Sequence, residues 1–336
     1  MERRKVQRVG GGTYTVSLPK AWAERVGLSA GTAVHLDPCA EGLVVEPATG
    51  ADDPTARVVV AVDGTDPRRL ERLLRAAYAA GFETLELVAP SGFSREGRRT
   101  VERTANGFVG VALDAEADDR LVLRALLDPD EVSVRQSVRQ LSYTALSMHR
   151  DATAALDGDG APGVAERDDE TGRLFAMVDR HVGRGLARLD EADALGLSRA
   201  ELFDLRAVAR ELERVADAAA SLAGVAAADP EGPVAPVTAL ARDAAAVAET
   251  ATAVAVGDAD PETAHDALDA RGAVRERAHG LDADLADAGA YRLGRALDPV
   301  LRTVEAGGTV AELGLRAAVR RGDLDAAETE LAPGDD

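Results

Sequence analysis

The sequence predicts a multidomain α+β chain with a strand-rich head, a small α/β middle and a long antiparallel helical bundle. Three observations predict it. Apolar residues alternate at period two near the start and move to helical spacing from Asp130 onward. Gly/Pro-rich stretches punctuate the chain at Thr49–Thr55 (TGADDPT), Gly158–Val164 (GDGAPGV) and Asp229–Pro236 (DPEGPVAP). Charge is unevenly divided: between Met1 and Arg25 six cations face two anions, a net of +4 within a chain of −20. The 336 residues suffice for two or three domains, each with its own core.

An acidic chain of pI near 4.7 argues against a general nucleic-acid coat or a binder of acidic membranes. Lysine occurs only at Lys5 and Lys20. This Asp/Glu-rich, Lys-poor, Ala/Val/Gly-rich composition resembles that of proteins from salt-loving archaea; a GC-rich genome in an ordinary organism gives the same bias. The single cysteine, Cys39, leaves no internal disulfide and no Cys-based zinc site, which fits a reducing cytosol. Charged first residues with no apolar run behind them predict no signal peptide, and no stretch approaches the roughly 18 apolar residues of a membrane span. The expectation is a cytoplasmic protein without membrane insertion.

In the head, residues 1–50, Thr13–Leu18 places Tyr14, Val16 and Leu18 on one side, as a half-buried strand does. Pro19 opens a short helix over Ala21–Val26, Gly27 caps it, and Thr32–Asp37 and Leu43–Pro47 read as two further strands. So few large apolar side chains cannot close a core alone, and a second copy supplies the missing half. RKVQRVGGGTYTVSLPKAWAERVGLSAGTAVHL resembles the swapped-hairpin DNA-binding domain of AbrB/SpoVT-type regulators, most specifically in TYTVSLPKAWAE and GLSAGTAV. The resemblance implies two chains interlocked in one small barrel, a homodimer, with Arg3, Arg4, Lys5, Arg8 and Lys20 as the DNA contact set. Residues 55–128 read as a small α/β connector of order β-α-β-α-β-β: strands at Arg57–Val62, Thr84–Val88, Val109–Leu113 and Arg120–Leu126, helices at Pro67–Ala80 and Ser94–Asn106. GFSREG opens the second helix without the Lys-Ser/Thr ending of a phosphate loop.

Residues 130–331 read as the bundle, with helices at Val132–Leu156, Asp168–Leu189, Leu202–Gly224, Thr238–Val256, Pro261–Ala288 and Tyr291–Val319. On Leu205–Gly224 one stripe holds Leu205, Val208, Leu212, Val215, Ala219 and Leu222, while Arg206, Glu213 and Asp217 share another face. Those carboxylates read either as a functional acidic face or as a solvated one partnered by Arg210 and Arg214. Arg167–Gly224, with its LGLS turn, resembles the helical repeat of PhoU proteins, regulators of phosphate uptake. The family's Glu-x-x-x-Asp motif, metal-binding in some members, falls on Glu213 and Asp217, with Asp169 and Glu170 matching in the partner helix. Ala218, Ser221, Gly224 and Gly172 depart from the family pattern. RTVEAGGTVAELGL reads as a worn second copy of RVADAAASLAG, giving two unequal repeats. The acidic face implies a divalent cation, Mg, Mn or Ca on carboxylates alone, a transition metal such as Fe or Zn should His181 join.

No nucleophile elbow, H-E-x-x-H, phosphate loop or Cys-His pair is present, so the expectation is a protein that is not an enzyme. Two functions fit. One is a phosphate-responsive regulator that binds DNA through its head. The other is a non-DNA-binding adaptor, dimeric through its head, whose bundle docks on a phosphate ABC transporter ATPase or a sensor kinase.

Overall fold

The computed structural model describes residues 3–10, 12–39, 42–47, 57–127, 129–158, 160–161 and 163–324. The expected linker Thr49–Thr55 and the tail after Leu331 lie outside the described residues. The chain divides into two compact units, Met1–Arg57 and Val58–Asp336.

In the first unit β1 (Gln7–Val9) and β2 (Thr13–Thr15) form an antiparallel hairpin with Arg8 opposite Tyr14. Pro19 is the cap before α1 (Lys20–Arg25), and Gly27, at φ +71, follows it in the left-handed conformation the sequence implied. β3 (Val34–Cys39) and β4 (Gly42–Pro47) form a second antiparallel ladder. None of the side chains whose exposure is described in this unit is buried. Tyr14 is 71% exposed, and Val6, Val9, Val16, Leu18, Leu36 and Leu43 are exposed as well. The half-buried strand expected for Tyr14, Val16 and Leu18 is therefore not found within one chain. Pairing stops at Thr15, and the described residues of the unit offer no second layer to cover those side chains. The described strands of the head form two separate ladders, without a closed barrel.

The second unit opens with a four-stranded sheet of β5 (Arg57–Ala61), β6 (Thr84–Val88), β7 (Val111–Glu116) and β8 (Arg120–Ala125), in the order β5-β6-β8-β7. α2 (Pro67–Ala79) and α3 (Arg95–Asn106) pack on one face. Asp66 and Ser94 begin them by accepting the backbone N–H groups of Arg69 and Gly97, each three residues on. Leu70, Leu74, Leu87, Val101 and Leu121 close the core, each 1% exposed or less. Gly97 is required: a Cβ there would stand 2.1 Å from the Gly64 carbonyl oxygen.

A 3-10 turn, Pro129–Glu131, leads into the bundle. α4 (Val134–Ala155), α5 (Val164–Ala187) and α7 (Arg199–Ala226) form one group; α8 (Val234–Ala255), α9 (Thr263–Asp287) and α11 (Leu297–Arg321) form another. The groups meet through α7 against α11 and α4 against α8. The expected stripe on α7 is the core seam: Leu205, Val208, Leu212, Val215, Ala219 and Leu222 are all 3% exposed or less. At about 1.5–3 kcal/mol for each fully buried large apolar side chain, the seam is a main source of bundle stability.

Two short helices differ from the sequence reading. α6 (Leu189–Leu195) stands between α5 and α7, so the LGLS turn joins α6 to α7. Gly196 takes φ +63 there, and Ser198 with Glu201 forms a full capping box on α7. α10 (Tyr291–Gly294) is separate from α11. Pro299 has no N–H to give and would clash with the carbonyl four residues back, so the long helix restarts at Leu297.

Candidate functional site

In the head, Arg3, Arg4 and Lys5 lie on the segment leading to β1, Arg8 is in β1, and Lys20 begins α1; all five are exposed. Lys20 pairs with Glu24 at 3.5 Å across one helical turn, an exposed pair worth little energetically. Exposed cations and uncovered apolar side chains thus share this unit.

On α7 the acidic residues find different partners. Arg206 pairs with Asp179 of α5, Arg214 with Glu211 at 2.8 Å, and Arg210 with Glu213 at 2.5 Å. Arg210 also lies over the Phe175 ring, 4.4 Å from its centroid, which holds the guanidinium over α5. Asp217 is exposed. Burial pushes the Glu213 carboxyl upward against the pull of Arg210, and Asp217 and Asp168 add to the rise. Asp168 of α5 is raised too, by burial first and then by Asp217 and Asp169. The structure thus gathers Asp168, Glu213 and Asp217 into one anionic patch.

Asp169 is exposed and lines a groove beside Asp168. Glu170 turns toward α4, where Gln140 Nε2 donates to it at 3.4 Å. His181 is 2% exposed, and neither ring nitrogen has a hydrogen-bond partner. Burial lowers its pKa to about 4, with Arg180 and Arg184 reinforcing the shift. Among the described residues, no three His, Cys, Asp or Glu side chains assemble as a set that could hold a metal ion. The donor set fits a divalent cation only in part, because Arg210 already occupies the Glu213 carboxylate.

A second polar cluster, absent from the sequence reading, ties the sheet layer to the bundle. Arg184 donates to the Gly81 carbonyl at 2.7 Å, to Glu83 at 2.9 Å and through Nε to Glu191 at 2.8 Å. Arg180 donates to the Tyr78 carbonyl at 3.1 Å and lies over the Tyr78 ring. Both arginines and Glu191 are buried, so the geometry of the junction is tightly specified. The signal in the sequence was Arg180 and Arg184 at i, i+4 spacing on an otherwise apolar face of α5.

Fold and surfaces together define a modular chain: a head with exposed cations, a small α/β layer and an acidic helical body. The family model described as PhoU domain matches residues 138–226, covering α4 to α7. The model described as Antidote-toxin recognition MazE, bacterial antitoxin, matches residues 7–52, the head. The chain carries a PhoU domain and an N-terminal MazE/AbrB-type domain, as the sequence resemblances implied. Both are regulatory, non-enzymatic domains, the first of phosphate homeostasis and the second of a kind that binds DNA or a partner. No curated protein matches the chain. No helix among the described residues is long and apolar enough to cross a membrane.

Proposed function

We propose that this protein is a cytoplasmic, phosphate-responsive transcriptional regulator. It dimerises and holds operator DNA through its head, while its PhoU-type bundle reads phosphate status through a transporter ATPase, a sensor kinase or a bound cation. One observation carries the reading: in a chain of net charge −20, Arg3, Arg4, Lys5, Arg8 and Lys20 all stand exposed on a MazE/AbrB-type domain. A second copy seated on Tyr14, Val16 and Leu18 would cover apolar surface that one chain leaves open. Four phosphate contacts would cost roughly 3.6 decades of affinity per tenfold rise in salt, so sequence preference must come from base and shape contacts.

The test is fluorescence anisotropy with duplexes from upstream of phosphate-transport genes and with scrambled duplexes, on the full chain and on a chain lacking residues 1–50. Sequence preference that disappears with the head supports the proposal. Lack of preference at every salt concentration refutes it. In that case, capture of transporter or kinase subunits by the headless chain would favour the adaptor. The cation is a separate proposal resting on Glu213 and Asp217. Metal analysis of purified protein should show bound ion lost in Glu213→Ala and Asp217→Ala, and equal metal content in all three would refute it.

A further inference from the structure

The chain has a second cationic surface besides its head. α2 and α3 together carry eight arginines against Glu71, Glu96 and Glu102, a net of +5, although residues 57–128 as a whole sum to −1. The charge is concentrated on one side of the layer. Arg68 and Arg72 follow one another at i, i+4 on α2, as Arg95 and Arg99 do on α3, opposite the buried Leu70, Leu74, Val101 and Ala105. Each pair is about 40° apart around its helix and about 6 Å apart along it, so each forms a row parallel to the axis. All four side chains are exposed, and none makes an ion pair among the described residues. Their neighbours differ: Arg75 pairs with Glu71 at 3.1 Å, and Arg98 with Asp118 at 3.4 Å.

We infer that the outer face of α2 and α3 is a second contact surface for duplex DNA, gripping backbone phosphates without reading sequence. Two features favour a polyanion over an acidic protein. Protein interfaces centre on buried aromatic or large apolar anchors, and neither helix exposes a large hydrophobic side chain. Guanidinium forks in rows suit phosphate oxygens, which supply charge at regular intervals and need no apolar pocket. The footprint is bounded on one side. Arg99 rims a groove whose other wall carries Asp168 and Asp169, carboxylates that repel a phosphate backbone. The role of such a grip depends on the reading of the chain as a DNA-binding regulator, but the two surfaces are separable by experiment.

The experiment measures anisotropy of the full-length protein on a random-sequence duplex and on duplexes from upstream of phosphate-transport genes, over a range of KCl concentrations. It compares wild type with Arg68→Ala/Arg72→Ala/Arg95→Ala/Arg99→Ala, with lysine at the same four positions, and with Arg3→Ala/Arg4→Ala/Lys5→Ala/Arg8→Ala. The alanine variant of the helical layer should flatten the slope of log K against log salt by about 3.6, and the lysine variant should keep it. The head variant should lose preference for operator duplexes while retaining salt-sensitive binding. A slope unmoved by the layer variant overturns the inference and leaves the head reading intact. A head variant that keeps the wild-type preference for the operator duplex overturns the head reading instead, whatever the layer variant does. Absence of any duplex binding by wild type at low salt ends both. Light scattering completes the test: a smaller assembly in the layer variant, with its slope unchanged, would make the face a protein contact and refute its assignment to DNA.

Discussion

His149 on α4 and His181 on α5 are 1% and 2% exposed, and burial lowers the pKa of each ring to about 4. Arg150 adds to the shift at His149; Arg180 and Arg184 add to it at His181. A folded-state pKa below the unfolded value of about 6.5 means that the unfolded chain binds protons the folded chain excludes. The native state therefore loses stability as pH falls from about 6.5 toward 4 and is insensitive to these groups above that window. The drop from 6.5 to about 4 corresponds to roughly 3.4 kcal/mol per ring when fully developed, and about 2 kcal/mol per ring at pH 5. Two rings then remove about 4 kcal/mol, a large share of the roughly 5–15 kcal/mol that holds a protein folded. The perturbation is His149→Leu/His181→Leu, which keeps the core filled and deletes both titrating groups. Urea unfolding at about pH 7 and pH 5 gives the stabilities, and carboxylates common to both proteins cancel in the comparison. Wild type should lose about 4 kcal/mol more than the variant between the two conditions. Parallel pH dependence in the two proteins would refute the reasoning, because it would mean the rings are hydrated or paired in solution.

Three further outcomes are expected. Arg184→Met should cost about 3–5 kcal/mol by leaving Glu191, 4% exposed, with only the looser Arg188 at 4.0 Å, and Arg184→Met/Glu191→Leu should recover most of that loss in thermal melts. Gly307→Ala should destabilise despite a helix-propensity gain of about 1 kcal/mol, since its Cβ would stand 2.9 Å from the Ala248 backbone; Gly272→Ala, with nothing within 4 Å, should stabilise by about 1 kcal/mol under the same denaturation assay. Ser198→Ala should cost about 1 kcal/mol by removing the acceptor for Glu201 N–H and the capping box on α7, whereas Ser198→Asp should retain most of the stability in the same melts.

Helices whose apolar stripes repeat over many turns were legible in the sequence, as the α7 seam from Leu205 to Leu222 illustrates. Short elements were not. β1 is three residues of mixed polarity, and α6 is seven residues ended by Gly196, too brief for a 3.6-residue period to declare itself. The acidic pair on α7 was legible, but its partner across the bundle was not. A helix advances 100° per residue, so Asp168 meets α7 whereas Glu170, two residues on, meets Gln140 of α4. The carboxylates were open to two readings from spacing alone, and of the two partners that spacing offered Arg210, packed on Phe175, pairs with Glu213 while Arg214 pairs with Glu211. The cationic layer was hidden by averaging. The acids on the strands and turns of residues 57–128 offset the arginines on its helices, and only the fold separates them onto different surfaces.

The two helix groups of the bundle also show why resemblance is concentrated in the first. α8, α9 and α11 repeat the packing order of α4, α5 and α7, yet the family match ends at residue 226. Carboxylates are present in both groups and are balanced differently. In the first, burial raises the Asp168 and Glu213 carboxyls and repulsion among Asp168, Glu213 and Asp217 adds to the rise, with Arg210 drawn to Glu213. In the second, Arg271 of α9 reaches across to Glu305 and Glu312 of α11, and Arg275 reaches Glu305 at 3.0 Å. Gly308 makes that crossing feasible, because a Cβ there would come 2.4 Å from Arg271 Cδ. A glycine that weakens its own helix is thus kept where it admits a guanidinium, and the second acidic face is neutralised from within. Asp168 and Asp217 make no ion pair among the described residues, whereas Glu305 and Glu312 are both paired, so of these two corresponding faces the α5–α7 one keeps the less compensated carboxylates.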